Sequence, residues 1–304
     1  MDQDLSGVHA ILVTPFTRNG ARIDHPALEA HVERLLEAGV RNMVVGGNTS
    51  EYFSLTRRER GDAIRTVVGT VAGRATVIAG IGASTQEAPA EARAARRLGP
   101  DGLMVHTPTQ PFLTGPGWIR YLDTIAKATD APLLPYLRSA AVDPASVATV
   151  AARPYAVAIK YAVADPLAFA AALSRAPTET TWICGLAESW APAFWAYGAR
   201  GLTSGLVNVD PGLALRFWST LESGDLNATR TLWARIRPLE VLRSRGGDGW
   251  NVAIIKAAME RLGSPAGPVR PPSSELPDGL AVELDAALRI LVPSADAPEA
   301  DSWG

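Results

Sequence analysis

Short apolar runs and amphipathic stretches alternate along the chain at a fairly regular spacing, the mark of repeated strand-helix units. Eight runs read as strands: "HAILVTPF" from His9, "NMVVGG" from Asn42, "TVIAGIG" from Thr76 and "GLMVHT" from Gly102, then "PLLPYL" from Pro132, "AVAIKYA" from Ala156, "TTWICGL" from Thr180 and "GLTSGL" from Gly201. Amphipathic stretches such as "HPALEAHVERLLEAG" and "TRRERGDAIRTVVGTVAG" follow them. Asp24, Thr56, Ser84, Asp143, Asp165 and Asp210 read as N-caps, three of them followed by Pro144, Pro166 and Pro211 at the N1 position that proline favours. The pattern predicts a (β/α)8 TIM barrel over residues 1–225. An open doubly wound sheet is the second possibility, disfavoured by the count of eight and the lack of a GxGxxG turn. Residues 226–304 contain no convincing strand and read as a C-terminal helical extension packed on the barrel, ending in the tail "PSADAPEADSWG".

Composition narrows the function. The 304 residues are 47% hydrophobic with a formal net charge of -2, which favours neither nucleic acid nor an interaction tail. No apolar run approaches the roughly 18 residues needed to span a bilayer, and "MDQDLSGVHA" is no signal peptide, so a soluble cytoplasmic protein without membrane partners is expected. Cys184 is the only cysteine, which excludes internal disulfides and zinc clusters. Lysine occurs only at Lys127, Lys160 and Lys256. Lys127 and Lys256 fall in helical patterns where a solvated ammonium is ordinary. Lys160 stands in "AVAIKYAVADP", an apolar run where a charge is costly.

Barrel active sites lie at the C-terminal strand ends, and strand side chains alternate inward and outward. Lys160 falls late in the sixth run with Ala158 and Ala162 on its face, leaving room for a substrate; the alternative is a lysine reaching to solvent. Tyr136 and Arg138, two apart in the fifth run, share a face: a phenol able to pass protons and a fork for a carboxylate. After the second run, Gly46 and Gly47 permit a tight turn whose amides, with Asn48, Thr49 and Ser50, suit an anion; otherwise the stretch is simply a loop. An amine nucleophile, a phenol and a carboxylate cradle suit imine chemistry on a 2-oxo acid without metal or cofactor. Pro135 lacks an N–H and is expected to bend or end the strand pairing near Tyr136. His106, with Lys160 and Arg138, gives the mouth positive charge, and Glu51 and Glu188 lie near strand ends. Trp118, Trp182, Trp190 and Trp195 read as packing residues, and Tyr161 points away from the pocket.

Four segments together resemble the dihydrodipicolinate synthase / N-acetylneuraminate lyase family of class I aldolases and lyases. "GNTSEYFSLT" is similar to its G-x-T-G-E loop, "YLRS" to its strand-five tyrosine, "AIKYA" to its lysine strand and "GLTSGLVNV" to its G-x-x-S-x-x-x-N-V. The resemblance implies that Lys160 forms the imine and Tyr136 shuttles protons. Thr49 would contact both the substrate carboxylate and the tyrosine, and the amides of Asn48 and Thr49 would help hold that carboxylate. Gly47, Asn48, Ser50, Arg138, Gly185, Glu188, Thr203 and Ser204 are the further substrate-binding candidates. A small-molecule substrate and a homodimer or homotetramer are implied. Ser50 stands in place of the loop glycine, Asn48 in place of the first threonine of T-T-G-E, and Thr109 and Gln110 where the synthase branch has paired tyrosines. "SEYFSLT", "AESWAPAFWAYGARGLTSGLVNVDP" and Arg138 resemble the 5-dehydro-4-deoxyglucarate dehydratase branch, which implies dehydration with decarboxylation of a six-carbon sugar diacid to 2,5-dioxopentanoate. The alternatives are a pyruvate-dependent aldolase or synthase, and a non-catalytic barrel that binds an oxo acid.

Overall fold

The computed structural model describes residues 4–82, 84–109 and 112–292. The predicted tail from Pro293 onward and Gln110 lie outside them. Eight parallel strands close into a barrel in sequence order: β1 Gly7–Ile11, β2 Asn42–Val45, β3 Thr76–Ile81, β4 Gly102–Val105, β5 Leu133–Leu137, β6 Ala158–Tyr161, β7 Thr181–Cys184 and β8 Gly201–Ser204, with β8 pairing back to β1. The outer helices are α1 His25–Glu37, α2 Arg57–Val71, α3 Ala88–Arg96, α4 Gly115–Ala126, α5 Pro144–Ala151, α6 Pro166–Leu173, α7 Ala187–Tyr197 and α8 Pro211–Glu222. The extension is α9 Leu226–Asp248, broken by non-helical backbone at Arg245–Gly247, then α10 Asn251–Arg261 and α11 Asp278–Leu291. This is the (β/α)8 barrel with C-terminal helices that the hydrophobic period predicts. Among the described residues no helix is long and apolar enough to cross a membrane.

The strands are nearly all buried on both faces, so the core has two layers. Ile11, Val44, Ile78, Met104, Leu134, Ala158 and Ile183 fill the barrel interior. The alternate strand residues pack outward against the helices; there Tyr161 meets Phe169 and Phe194 at ring distances of 5.3 and 6.0 Å. Helix starts follow the side-chain oxygens named above at Asp24, Thr56, Asp143, Asp165 and Asp210, each accepting a backbone N–H of the first turn. Ser84 is the exception. Its carbonyl accepts the Ala88 N–H, and α3 begins four residues beyond it, after a turn and with Pro89 in its first turn.

Pro135 does not end β5. The strand continues to Leu137 and keeps its register with β4 through Val105 opposite Pro135. The discontinuity falls on the β6 side. An isolated bridge pairs Leu133 with Ala156, and pairing resumes with Tyr136 opposite Lys160, so β6 holds one residue more than β5 between the two points. The missing proline donor is thus accommodated by a slip in the neighbouring strand, and that slip puts Tyr136 directly beside Lys160.

The extension is locked to the barrel mouth by a buried ion pair. Lys256 is not solvated: it is 3% exposed, its Nζ lies 2.6 Å from Glu51 Oε1, and it donates to the Pro268 carbonyl at 2.9 Å. The other Glu51 oxygen accepts the Arg270 N–H at 2.8 Å. Helical periodicity put Lys256 on a solvated face because it says nothing of the loop that later covers that face. Lys256→Met leaves a buried carboxylate unpaired and is expected to destabilise the fold by about 3–5 kcal/mol. The double variant Glu51→Gln/Lys256→Met should recover much of that loss in denaturant titrations, since the glutamine oxygen still accepts from Arg270. A double variant no more stable than the single one would refute the assignment.

Candidate active site

A cavity of about 590 Å3 opens at the C-terminal ends of the strands. Lys160, Tyr136, Arg138, Asn48, Thr49, Gly185 and Thr203 all border it. Gly185 is there because nothing larger fits: a Cβ would stand 2.7 Å from the Ala162 Cβ and 3.2 Å from the Lys160 Cγ.

Lys160 is 3% exposed and has no carboxylate partner among the described residues. Its Nζ lies 4.0 Å from the Tyr136 ring centroid and donates to the Met104 sulfur at 3.9 Å. Burial, and secondarily the positive charge of Arg138, lowers its pKa to about 7. At the ordinary lysine value, about one molecule in a few thousand would carry a neutral amine at pH 7; at this value about half do. Burial pushes the Tyr136 phenol the other way, up to about 12. Its oxygen accepts a hydrogen bond from Asn48 Nδ2 at 3.3 Å, so the side chain on the phenol is Asn48 rather than Thr49.

The loop after β2 turns tightly against the end of β1. Gly46 has φ +83°, and a Cβ on Gly47 would stand 2.5 Å from Ile11. The Ser50 hydroxyl donates to the Leu12 carbonyl at 2.5 Å and accepts the Gly47 N–H at 3.0 Å. Gly47 and Ser50 therefore do not face the cavity as substrate ligands; they staple the loop to the strand below. The backbone N–H groups of Asn48 and Thr49 make no hydrogen bond among the described residues, which leaves two adjacent donors at the cavity edge.

Other predicted site residues lie behind the wall. Ser204 is fully buried, is bonded to Glu188, and accepts the Val207 N–H at 2.9 Å. Strand alternation explains this: Thr203 faces inward, so Ser204 faces outward. Glu188, also fully buried, lies 3.8 Å from Arg243 rather than at the cavity surface. His106 is 2% exposed and bonded to the Gly46 carbonyl at 2.8 Å; burial lowers its pKa to about 4, so it supports the loop as a neutral ring and adds no charge to the mouth. Asn208 accepts from Val13 and His31 and donates to the carbonyls of Ile11 and Gly205, tying β8 to β1.

The sequence reading missed the roof. Glu240, Arg243, Ser244 and Asp248 from α9, Asn251 from α10, and Ser273 complete the cavity, with Trp190 on its rim. Asp248 faces Arg138 at 3.6 Å, both side chains about half exposed. The available signals were the Gly246-Gly247 break and the polar i, i+3, i+4 set Glu240, Arg243, Ser244 on one helix face. Among the described residues no group of three or more His, Cys, Asp or Glu side chains converges to hold a metal ion.

Comparison with known proteins agrees with this architecture. The sequence pattern of the dihydrodipicolinate synthetase family matches residues 4–291. A Xanthomonas campestris protein named probable 5-dehydro-4-deoxyglucarate dehydratase is 33% identical over 277 residues, covering 89% of this chain and 90% of its own. A 4-hydroxy-tetrahydrodipicolinate synthase from an Exiguobacterium species is 33% identical over 272 residues, covering 88% and 91%. The crystal structure of dihydrodipicolinate synthase from Oceanobacillus iheyensis superposes with a TM-score of 0.91 at 36% identity, covering 94% of this chain and 96% of that one.

The Ser50 staple is directly testable. Ser50→Ala leaves the Gly47 N–H and the Leu12 carbonyl without a partner and should lower unfolding free energy by about 1–3 kcal/mol. An unchanged denaturant midpoint would show that the hydroxyl is not holding the loop.

Proposed function

The chain belongs to the dihydrodipicolinate synthetase family of lyases, and on that premise we propose that it acts through a lysine imine on a 2-oxo acid, as a dehydratase of the 5-dehydro-4-deoxyglucarate type. The observation that carries this reading is the buried Lys160 amine without a counter-ion, set beside Tyr136 in the cavity that the free Asn48 and Thr49 amides border. A neutral amine attacks the keto carbon while the two amides hold the adjoining carboxylate. The Tyr136 phenol gives its proton to the hydroxyl leaving the carbinolamine, which departs as water. The resulting phenolate then takes a proton from the carbon next to the iminium, which gives an enamine and restores the phenol.

Two features favour a sugar-acid dehydratase. Asn48 holds the phenol by donating an amide N–H, and an amide does not relay protons as the hydroxyl at that place in T-T-G-E would. Arg138 supplies a cationic group for the second carboxylate of a diacid, and its half-exposed pairing with Asp248 is weak enough for a substrate carboxylate to replace. The pyruvate-dependent synthase or aldolase is the second reading, supported by the equal 33% identity to a relative of that name.

Borohydride reduction in the presence of pyruvate, and separately of 5-dehydro-4-deoxyglucarate, followed by peptide mass spectrometry, tests the proposal. A reduced adduct on Lys160 is expected with both compounds and carbon dioxide with the sugar acid. Lys160→Arg keeps the charge and should form no adduct. No adduct with any 2-oxo acid would leave the non-catalytic barrel as the surviving reading. Adducts without carbon dioxide release would favour the aldolase or synthase.

A further inference from the structure

The peptide that joins Gly46 to Gly47 is gripped at both ends. Its carbonyl oxygen lies 2.8 Å from His106 Nε2, and its N–H donates to the Ser50 hydroxyl at 3.0 Å. A carbonyl only accepts, so the His106 nitrogen that meets it carries the proton. The neighbouring strand makes room for this contact: a Cβ on Gly80 of β3 would stand 1.9 Å from the Gly46 oxygen and 3.1 Å from His106 Nε2. Gly46 itself has φ +83°. Two adjacent glycines impose little conformational preference on the peptide between them. Its direction is therefore set by the two side chains that hold it.

His106 is in turn clamped. Its backbone N–H donates to the Ile81 carbonyl at 2.9 Å. The Tyr52 ring lies against the imidazole, with centroids 4.5 Å apart and planes tilted by 30°. The Tyr52 hydroxyl donates to Glu91 at 2.9 Å, and Glu91 also accepts the Gly82 N–H at 3.0 Å. Arg60 closes this group, its guanidinium 4.6 Å from the Tyr52 ring centroid and its Nε 2.8 Å from Glu91. The Tyr136 ring is 5.7 Å from the same imidazole. His106 does not border the cavity, and any influence it has on the cavity passes through the peptide it holds. Directly after that peptide come the Asn48 and Thr49 N–H groups, which have no partner among the described residues.

We propose that His106 is a positioning residue for the substrate's carboxylate: with Ser50 it fixes the direction of the Gly46–Gly47 peptide, and thereby the aim of the Asn48 and Thr49 N–H groups. The proposal rests on the imine reading above, which assigns those two amides to the carboxylate beside the keto group. Without the imidazole proton the Gly46 oxygen is left buried and unsatisfied, and the glycine pair turns to relieve it. That turn carries the two following amides away from the cavity edge. The histidine thus sets the affinity for the carboxylate, while the carbonyl chemistry of Lys160 on β6 stays in place.

The test compares borohydride trapping on Lys160 by pyruvate with trapping by acetone, a methyl ketone without a carboxylate. It is run in the wild type, His106→Leu, His106→Gln and Ser50→Ala. In His106→Leu the pyruvate concentration for half-maximal trapping should rise roughly 10-fold, with the acetone dependence unchanged. His106→Gln, whose amide nitrogen can donate as the imidazole does, should recover part of that loss. Ser50→Ala releases the other end of the same peptide and should likewise weaken pyruvate alone. General damage to the fold would lower trapping by both compounds. A parallel fall in His106→Leu, or a pyruvate dependence equal to that of the wild type, would therefore overturn the proposal. Should acetone leave no adduct on the wild type, the trapping rate at saturating pyruvate takes its place as the reading of the amine itself. If His106→Leu does not fold, Ser50→Ala decides on the same comparison. A wild type trapped by neither compound refutes the imine reading, and the proposal falls with it.

Discussion

Lys160 Nζ sits in the barrel against the Tyr136 ring and the Met104 sulfur, with no carboxylate among the described residues to pair with it. That single constraint organises the site. An ammonium in such a place loses its proton more readily, and the neutral amine is the form that attacks a carbonyl. On the proposed imine reading, Gly185 leaves space beside that amine, fixed as glycine by its contact with the Ala162 and Lys160 side chains. The arrangement weakens the fold. Between about pH 7 and the ordinary lysine range the unfolded chain binds a proton that the folded chain refuses, so this site's contribution to stability is lowest below pH 7 and rises with pH through that window.

Around the amine, much of the family-like pattern holds the mouth in shape rather than touching substrate. Ser50 staples the loop after β2 to Leu12 just past β1, Asn208 ties the end of β8 to β1, and Ser204 seats Glu188. Glu51 reaches into the extension to meet Lys256. The extension is therefore part of the site. It is anchored by the loop after β2, and α9 in turn presents Glu240, Arg243 and Asp248 to the cavity.

The barrel was legible because its short apolar strands and capped helices are local signals, and five of the six proposed caps accept first-turn N–H groups. Lys160 and Tyr136 were legible as a charged and a phenolic group on inward positions of neighbouring apolar strands. What the chain order concealed is which face a strand-end residue takes and what lies over it. Glu188 and Ser204 looked like mouth residues but turn outward, and Lys256 looked solvated but is covered by the segment around Pro268 and Arg270. The β5–β6 register slip beside Pro135 depends on two strands at once and leaves no mark in either alone. The roof escaped notice for the same reason, since helix periodicity shows an amphipathic face without naming the surface it meets.

The three lysines make the central claim directly measurable. In protein labelled with 13C at the lysine Cε, nuclear magnetic resonance titration follows each amine separately, and Lys160→Arg identifies the Lys160 signal. The account predicts that this signal titrates near pH 7, through burial without a counter-ion. A Lys160 amine that stays protonated to the ordinary lysine range would contradict it.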